Sequence, residues 1–311
     1  MKRPLLTPDG TPVSRFCFGT MQFGGKADEA ASRNLYDASR EAGINFFDTA
    51  YAYTEGRSET FLGRFAAPER DRVFIASKAD FSRGSGAAGI RASAEESRRR
   101  LGMDRIDLYY LHRWDPKVPL DETFAALAEE LAAGRIGAIG VSNFSAWQVM
   151  KAEAVARRRG IGITMLQPMY NLVKRQAEVE ILPMALSEGF AVVPYSPLGG
   201  GLLSGKYASG DTGRLTDDPM YQARYAPGWM HDAARGLSAI AAELGTHPAT
   251  LAVAWAARHP GVTAPIISAR SAQQLAPSLA ALTFAVDDAL YARLSALSPA
   301  PPPATDRLEE A

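Results

Sequence analysis

The chain has 311 residues, and its 34 Lys and Arg balance its 34 Asp and Glu. A hydrophobic content of 47% with 22% charged residues is typical of a folded globular protein and excludes a disordered or fibrous chain. Because a formal net charge of zero provides no long-range electrostatic field, we expect neither nucleic acid nor a membrane surface as a partner.

Three features of the sequence predict a cytoplasmic protein. Cys17 is the only cysteine, so no disulfide forms within the chain, as is usual in a reducing compartment. No apolar segment follows the basic residues of the first ten positions, as a signal peptide would require. The apolar run at 251–257 has seven residues, far fewer than the ~20 that cross a membrane.

Short runs rich in β-branched and aromatic residues alternate with helical segments along most of the chain. Strands are predicted at residues 15–20, 44–48, 73–78, 106–112, 136–143, 164–169, 191–197 and 263–268. Helices are predicted at residues 28–42, 88–101, 120–133, 145–159 and 179–187. Since several strands are continuous apolar runs, as in parallel strands covered on both faces, the pattern predicts an α/β fold, a (β/α)8 TIM barrel. We expect one domain over residues 1–311, with its barrel core at about 14–297.

Three irregular segments accompany the predicted barrel. Residues 2–13 contain Asp9-Gly10 between short apolar pieces, which predicts an N-terminal β-hairpin that plugs the barrel floor. Residues 204–230 are polar and follow the seventh strand, where a long loop would cover the C-terminal face. Residues 298–311 are proline-rich and acidic, so we expect a flexible tail there.

Spacing disfavours two other kinds of site. Residues 84–89 match the GxGxxG pattern of dinucleotide-binding loops, but five residues separate them from the preceding predicted strand. The next strand ends in Leu111-His112 where an acidic residue is expected, so we interpret 84–89 as an ordinary loop. The four histidines lack metal-ligand spacing and one cysteine cannot form a zinc site, so no metal is predicted.

Polar side chains lie at or near the ends of six consecutive predicted strands. They are Asp48, Lys78, His112, the pair Ser142-Asn143, Gln167, and the pair Tyr195-Ser196. The carboxyl ends of parallel barrel strands meet at one mouth, where barrel active sites lie. We therefore predict that these side chains share one site.

Seven short motifs follow one another in the same part of the chain. They are DTAYAY at 48–53, GRSE at 56–59, IASK at 75–78, LYYLH at 108–112, GVSNF at 140–144, QP at 167–168 and PYSPL at 194–198. With these motifs the chain resembles the aldo-keto reductases from about residue 14 to residue 297. The resemblance implies a TIM barrel that binds a nicotinamide cofactor.

The resemblance also implies a catalytic tetrad of Asp48, Tyr53, Lys78 and His112. Tyr53 would donate a proton to the oxygen of a carbonyl that accepts hydride, although a free phenol with a pKa of ~10 is a weak acid. The Lys78 ammonium would lower that pKa, and Asp48 would keep Lys78 charged and oriented. His112 would donate a hydrogen bond to the substrate oxygen. Tyr51, three residues beyond the strand end, is the competing candidate for the acid.

The same resemblance implies NADPH/NADP+ as the cofactor. The implied contacts are Ser142, Asn143 and Gln167 to the nicotinamide carboxamide, Tyr195 stacked on the ring, Ser196, Leu198, Gly200 and Lys206 along the pyrophosphate, Ser268, Arg270 and Gln274 at the adenosine 2′-phosphate, and Thr20 and Asp48 completing the set. Pro277 and Ser278 replace residues that commonly meet the adenine, so we expect weaker adenine contacts.

These features predict a monomeric, NADPH-dependent reductase of aldehydes or ketones with a small carbonyl or sugar substrate. The candidates for the substrate pocket are Met21, Phe23, Tyr51, Tyr53, His112, Trp114 and the loop around residues 221–229. Two alternatives remain open. The same tetrad would serve an NADP-dependent sugar or alcohol dehydrogenase in the oxidative direction, and similar barrels act as nicotinamide-binding regulatory subunits of channels.

Overall fold

Eight parallel strands form a single sheet in the structure, a computed structural model that describes residues 5–305, 307 and 309, without the side chains of 208 and 209. The strands are β1 (Cys17–Gly19), β2 (Phe46–Asp48), β3 (Phe74–Lys78), β4 (Leu108–Leu111), β5 (Ile139–Ser142), β6 (Ile163–Gln167), β7 (Ala191–Val192) and β8 (Ile266–Ile267). Neighbours pair in the order β7-β6-β5-β4-β3-β2-β1-β8. The Thr263 N–H donates to the Val192 carbonyl at 2.7 Å and the Ile266 N–H to the Pro194 carbonyl at 2.9 Å, which joins the two edges. The predicted (β/α)8 barrel is therefore confirmed.

Helices connect the strands and surround the sheet. They are α1 (Glu29–Glu41), α2 (Arg57–Ala66), α3 (Ala87–Leu101), α4 (Leu120–Ala132), α5 (Ala146–Arg158), α6 (Ile181–Glu188), α7 (Arg214–Asp217), α8 (Pro219–Arg224), α9 (Gly228–Glu243), α10 (Pro248–Arg258), α11 (Ala272–Ala280) and α12 (Asp288–Ser295). Helix α1 begins at Asp28, whose carboxylate accepts the Ala31 N–H at 2.8 Å, and α6 ends at Gly189 in the left-handed conformation. None of the described helices is long and apolar enough to cross a membrane.

Side chains alternate between two cores along each strand. The barrel interior is filled by Cys17, Phe46, Phe74, Ala76, Leu108, Tyr110, Met165, Ala191, Val193, Ala264 and Ile266. The neighbouring residues Phe18, Phe47 and Tyr109 point outward and pack in the larger core between strands and helices. Because both faces of the sheet are buried, the strands read as continuous apolar runs in the sequence.

The N-terminal segment forms the predicted hairpin. Leu6 and Pro12 make an antiparallel bridge, and the Thr7 N–H donates to the Thr11 carbonyl at 2.8 Å. Leu5 and Val13, on either side of this bridge, pack against the barrel interior. The described part of the hairpin therefore covers the floor as predicted, and residues 2–4 lie outside the described residues.

The strands are shorter than predicted at the mouth of the barrel. β5 ends at Ser142 because the next residue, Asn143, is left-handed with a φ of 59°. β7 ends at Val192, and within the rest of the predicted strand Ser196 is also left-handed, with a φ of 60°. Residues 204–230 also differ from the predicted loop, because α7 and α8 form within them. Asp218 helps to specify α8, since its carboxylate accepts the Met220 N–H at 2.9 Å.

Candidate active site

A cavity of about 900 Å³ opens at the C-terminal ends of the strands. Most of the predicted site residues line it. These are Met21, Asp48, Tyr53, His112, Ser142, Asn143, Gln167, Tyr195, Ser196, Leu198, Gly200, Lys206, Ser268, Arg270 and Gln274. The barrel mouth thus brings together residues that are up to 253 positions apart, between Met21 and Gln274.

Lys78 lies at the centre of a buried polar group behind the cavity wall. Its ammonium is in contact with the Asp48 carboxylate and donates to the Thr49 carbonyl at 2.7 Å. The Tyr53 hydroxyl lies 3.5 Å from the Lys78 Nζ. The second oxygen of Asp48 accepts the Gln167 Nε2–H at 2.8 Å, so both carboxylate oxygens are engaged. This arrangement fixes the ammonium beside the phenol.

The two opposing effects on these groups are burial and charge. Burial raises the pKa of Tyr53, and the Lys78 ammonium lowers it by less, so the net direction is upward. A lowered pKa was expected from the sequence, because the charge of Lys78 can be read there and the burial of the phenol cannot. For Lys78 burial lowers the pKa, but Asp48 and Tyr53 outweigh it and the net shift is upward. At neutral pH the group is an ammonium beside a protonated phenol.

His112 closes the same end of the cavity. Its ring meets the Tyr53 ring edge-on, with 6.1 Å between centroids, and packs against Phe81 in the same way at 5.4 Å. Burial, and after it the charges of Lys78 and Arg113, lower the pKa of His112 to about 3. The imidazole is therefore neutral at physiological pH and carries one N–H. Its buried Nδ1 has no hydrogen-bond partner among the described residues.

Amide and hydroxyl groups form the adjacent wall. The Asn143 Nδ2–H donates to the His112 carbonyl at 3.0 Å, and its Oδ1 accepts the Tyr195 hydroxyl at 2.7 Å. The Ser142 hydroxyl donates to the Gln167 carbonyl at 3.0 Å. The left-handed backbone of Asn143 turns its side chain across the mouth, between β5 and β7. These groups are able to donate to and accept from a planar amide.

The far end of the cavity combines a glycine turn with cations. Gly200 has a φ of 67°, and a Cβ at that position would lie 2.8 Å from the Tyr221 ring, so the close approach requires glycine. Burial and then the nearby Arg270 charge lower the pKa of Lys206. The Ser268 hydroxyl is buried without a partner among the described residues, and Arg270 makes no ion pair with a described carboxylate. Such a surface suits an anionic group.

Two predicted residues lie in the core instead of lining the cavity. Thr20 is fully buried, and its hydroxyl contacts the Asp48 carbonyl at 3.1 Å and the Ser58 hydroxyl at 2.8 Å. Phe23 is also fully buried, with its ring 5.7 Å from that of Phe18. The structure therefore does not bring the predicted cofactor contact Thr20 or the predicted pocket residue Phe23 to the cavity wall, because both are fully buried in the core.

Tyr51 and Trp114 also lie outside the cavity. The Tyr51 ring is covered by the Arg100 guanidinium, 4.2 Å from its centroid. Trp114 packs edge-on against Phe144 and Trp147, with centroids 5.3 and 5.6 Å away. The structure therefore does not bring these two predicted substrate-pocket residues to the cavity wall. The turn after β2 places Tyr53, and not Tyr51, at the wall of the cavity.

Several cavity residues were missed in the sequence. Tyr221 and Arg224 belong to the predicted pocket loop, whereas Gln22, Phe81 and Arg214 were not predicted. The basic residues of the polar segment 204–230 are the one signal that pointed to Arg214 and Arg224. In the part of the chain that the structure describes, no three His, Cys, Asp or Glu side chains are grouped as metal ligands would be.

The GxGxxG segment does not contribute to the cavity. It leads into α3, and the Ser85 N–H donates to the Asp115 carboxylate at 2.9 Å. A carboxylate thus takes the position that a phosphate would need. The interpretation of residues 84–89 as a loop without nucleotide agrees with this contact.

Comparison with known proteins agrees with the geometry of the cavity. The sequence model of the Aldo/keto reductase family matches residues 15–299. The chain belongs to this family. An uncharacterized oxidoreductase of Bacillus subtilis, YrpG, is 34% identical over 97% of both chains. A probable voltage-gated potassium channel subunit beta of Oryza sativa subsp. japonica is 33% identical over 88% of both.

A third relative is named for its substrate. The aflatoxin B1 aldehyde reductase member 2 of Rattus norvegicus is 37% identical over 61% of this chain and 53% of its own length. Together with the family match and the oxidoreductase relative, this similarity supports an oxidoreductase that reduces carbonyl groups. The cavity agrees with this conclusion, because most of the residues that line it are the site residues that the family resemblance implies.

Proposed function

We propose that the chain is an NADPH-dependent carbonyl reductase that converts an aldehyde or ketone to an alcohol, with Tyr53 as the proton donor. The observation that carries the proposal is the series Asp48, Lys78, Tyr53, in which the first two residues are buried and the phenol lies at the wall of the cavity beside neutral His112. A charged lysine held against a protonated phenol is the arrangement that proton donation to a developing alkoxide requires.

The donor set of the cavity suits a nicotinamide dinucleotide. The amides of Asn143 and Gln167 line one end, and the turn at Gly200 allows a close backbone approach further along. The Ser268 hydroxyl, which is buried and has no partner among the described residues, and the Arg270 guanidinium lie at the other end, where they would hold the 2′-phosphate. The cofactor, when bound, supplies the hydride for the carbonyl carbon.

The side chains of this protein would handle the proton. Tyr53 is protonated at neutral pH and would give its proton to the carbonyl oxygen as negative charge develops there. The Lys78 ammonium would stabilise the phenolate left behind, and Asp48 would hold Lys78 in place. Neutral His112 would donate its one N–H to the same oxygen. Solvent would then return a proton to Tyr53.

Turnover of a carbonyl panel tests the proposal. Purified protein is mixed with NADPH and, one at a time, with aromatic aldehydes, aliphatic aldehydes, ketones and aldose sugars, and NADPH consumption is followed by its near-ultraviolet absorbance. We expect turnover of at least one aldehyde and its loss in Lys78→Met. Binding of NADPH without turnover of any compound would instead favour a regulatory subunit, as the name of the rice relative indicates for that protein.

The same assay separates the two reaction directions. Alcohols and sugars are offered with NADP+, and kcat/KM is compared with that of the corresponding carbonyl compound at the same pH. We expect the carbonyl direction to be the faster one at neutral pH, because the phenol is in its acid form there. Faster oxidation at neutral pH would favour the dehydrogenase alternative.

A further inference from the structure

Arg224 is a cation of the cavity wall for which the proposed function has no use. It is the last residue of α8, half-buried, and its guanidinium lies 5.2 Å from the centroid of the Tyr221 ring. Among the residues that the structure describes, no Asp or Glu forms an ion pair with it. A cation in a partly closed cavity without a counter-charge attracts an anion from solution.

The position of Arg224 is at the tyrosine end of the cavity. Tyr195, whose hydroxyl is bonded to Asn143, has its pKa raised by burial, and the charge of Arg224 acts in the opposite direction. Tyr53, Tyr195, Tyr221 and Arg224 all line the same cavity, and the Arg224 guanidinium lies over the Tyr221 ring. The cavity that contains the Tyr53 phenol is therefore also bordered by a guanidinium.

A second cation increases the positive potential behind Arg224. Burial and then the Arg224 charge lower the pKa of Lys174, which makes no ion pair with a described carboxylate. The Lys174 Nζ lies 5.8 Å from the centroid of the Tyr225 ring. The other cations of the cavity lie at the end proposed for the cofactor phosphates. Burial, and after it the charges of Arg270 and Arg214, lower the pKa of Lys206 there.

We propose that Arg224 binds an oxyanion, a carboxylate or a phosphate, carried by the carbonyl substrate. The inference rests on the proposed reductase function and specifies its substrate class: carbonyl compounds that are anionic at neutral pH. The guanidinium fork matches both carboxylate and phosphate through paired N–H donors, and the half-buried site strengthens the contact relative to water. Arg224 contributes to binding of the substrate, whereas Tyr53 transfers the proton.

Pairs of substrates that differ in charge test this inference. The anionic compounds are 3- and 4-carboxybenzaldehyde, which place the carboxylate at two distances from the carbonyl, and 4-formylphenyl phosphate. Their neutral partners are the methyl esters of the two acids and 4-methoxybenzaldehyde. For each pair, kcat/KM of the anionic aldehyde is divided by kcat/KM of its neutral partner. This ratio in the wild type is then divided by the same ratio in Arg224→Gln, so that the intrinsic reactivity of the aldehydes cancels. The two anion classes are thereby scored separately.

We expect Arg224→Gln to lower the preference for at least one anionic aldehyde by about tenfold or more, the size of one charge-assisted contact. The change should lie in KM, with kcat and the Kd of NADPH within about twofold of wild type. Arg224→Lys should recover part of the preference. Arg91→Gln, an exposed arginine paired with Glu129 outside the cavity, is the matched control and should change none of these values.

Three outcomes would overturn the inference while leaving the proposed function intact. The first is equal turnover of charged and neutral partners in both proteins. The second is an unchanged preference in Arg224→Gln. The third is a weakened NADPH Kd with the preference retained, which would assign Arg224 to the cofactor. Failure of the wild type to reduce any aldehyde would instead contradict the reductase function itself.

Discussion

The ammonium nitrogen of Lys78 lies 3.5 Å from the hydroxyl oxygen of Tyr53; Lys78 is fully buried, and Tyr53 is half-buried at the cavity wall. Burial makes the phenolate costly, so in the proposed reaction the charge of Lys78 would matter most when Tyr53 loses its proton. The pair would then hold a protonated phenol at rest and stabilise the phenolate during the proposed proton transfer. Asp48 keeps Lys78 charged in both states.

Removal of the Tyr53 hydroxyl should abolish most of the turnover. We expect Tyr53→Phe to lower kcat by a factor of about 10² or more, because a positioned acid contributes roughly 10²–10⁴-fold. The Kd of NADPH should change little. Single-turnover kinetics and fluorescence titration measure the two effects separately, and near-wild-type turnover would sink the assignment.

The matched control is Tyr51→Phe. The Tyr51 hydroxyl is 3.3 Å from an Arg83 nitrogen and its ring lies under Arg100, outside the cavity. We therefore expect kcat of Tyr51→Phe within a few-fold of wild type. A loss as large as that of Tyr53→Phe would make the two tyrosines indistinguishable and reopen the choice between them.

His112 should make the stability of the fold depend on pH. Its pKa is about 3 in the folded protein and 6.5 in an ordinary exposed histidine, so the unfolded chain binds a proton below pH 6.5 that the folded chain does not bind. This difference destabilises the fold as the pH falls from about 6.5 towards 3, by roughly 2 kcal/mol at pH 5. Urea unfolding of wild type and His112→Gln at pH 7 and pH 5 should show a smaller drop in the variant. Equal drops in both proteins would contradict the lowered pKa.

Arg100 should hold the turn that carries Tyr53. It donates to the Tyr51 carbonyl at 2.9 Å and pairs with the fully buried Glu59 at 3.2 Å. We expect Arg100→Ala to lower the free energy of unfolding by about 3–5 kcal/mol, because it leaves the buried Glu59 carboxylate with the Ser77 hydroxyl but without its positive partner. In the fraction that remains folded, kcat should fall about tenfold or more through misplacement of Tyr53, since a small displacement of a catalytic group has a large effect.

Arg100→Lys distinguishes positioning from simple instability. A lysine keeps the positive charge near Glu59 but loses the planar stacking on Tyr51 and the fork of N–H donors. We expect stability to recover more than kcat does. If kcat in Arg100→Lys and Arg100→Ala follows only the folded fraction, the residue has no role in placing Tyr53.

Cofactor preference should depend on Arg270. We expect NADPH to bind at least tenfold more tightly than NADH, because a charge-assisted contact of roughly 1.5–3 kcal/mol corresponds to about 10- to 150-fold. Arg270→Ala should lose most of this difference while the Kd of NADH hardly changes. Titration of the intrinsic fluorescence with each cofactor measures both constants, and equal affinities in the wild type would show that Arg270 has another role. Pro277 is common to both complexes and leaves the ratio unaffected.

The sequence by itself determined the barrel and the position of its site. Apolar runs of strand length mark sheet strands that are buried on both faces, and parallel strands of a closed barrel bring all their carboxyl ends to one side. For this reason the strand pattern alone assigns Asp48, His112, Gln167 and Tyr195 to a common mouth, and all four line the cavity. Arg214 of the 204–230 segment escaped assignment, since a polar loop has no periodicity that fixes the direction of its side chains.

The tertiary structure alone decided which neighbours of those strand ends face the cavity. Tyr51 and Tyr53 are two residues apart, yet Arg100, from a different helix, covers the first and leaves the second exposed to the cavity. The direction of the Tyr53 pKa shift was also decided there, because the cost of burying a phenolate depends on the packed surroundings and not on residue identity. The position of Arg224 was decided in the same way: only the packing of the folded chain brings its guanidinium over Tyr221 and into the lining of the cavity.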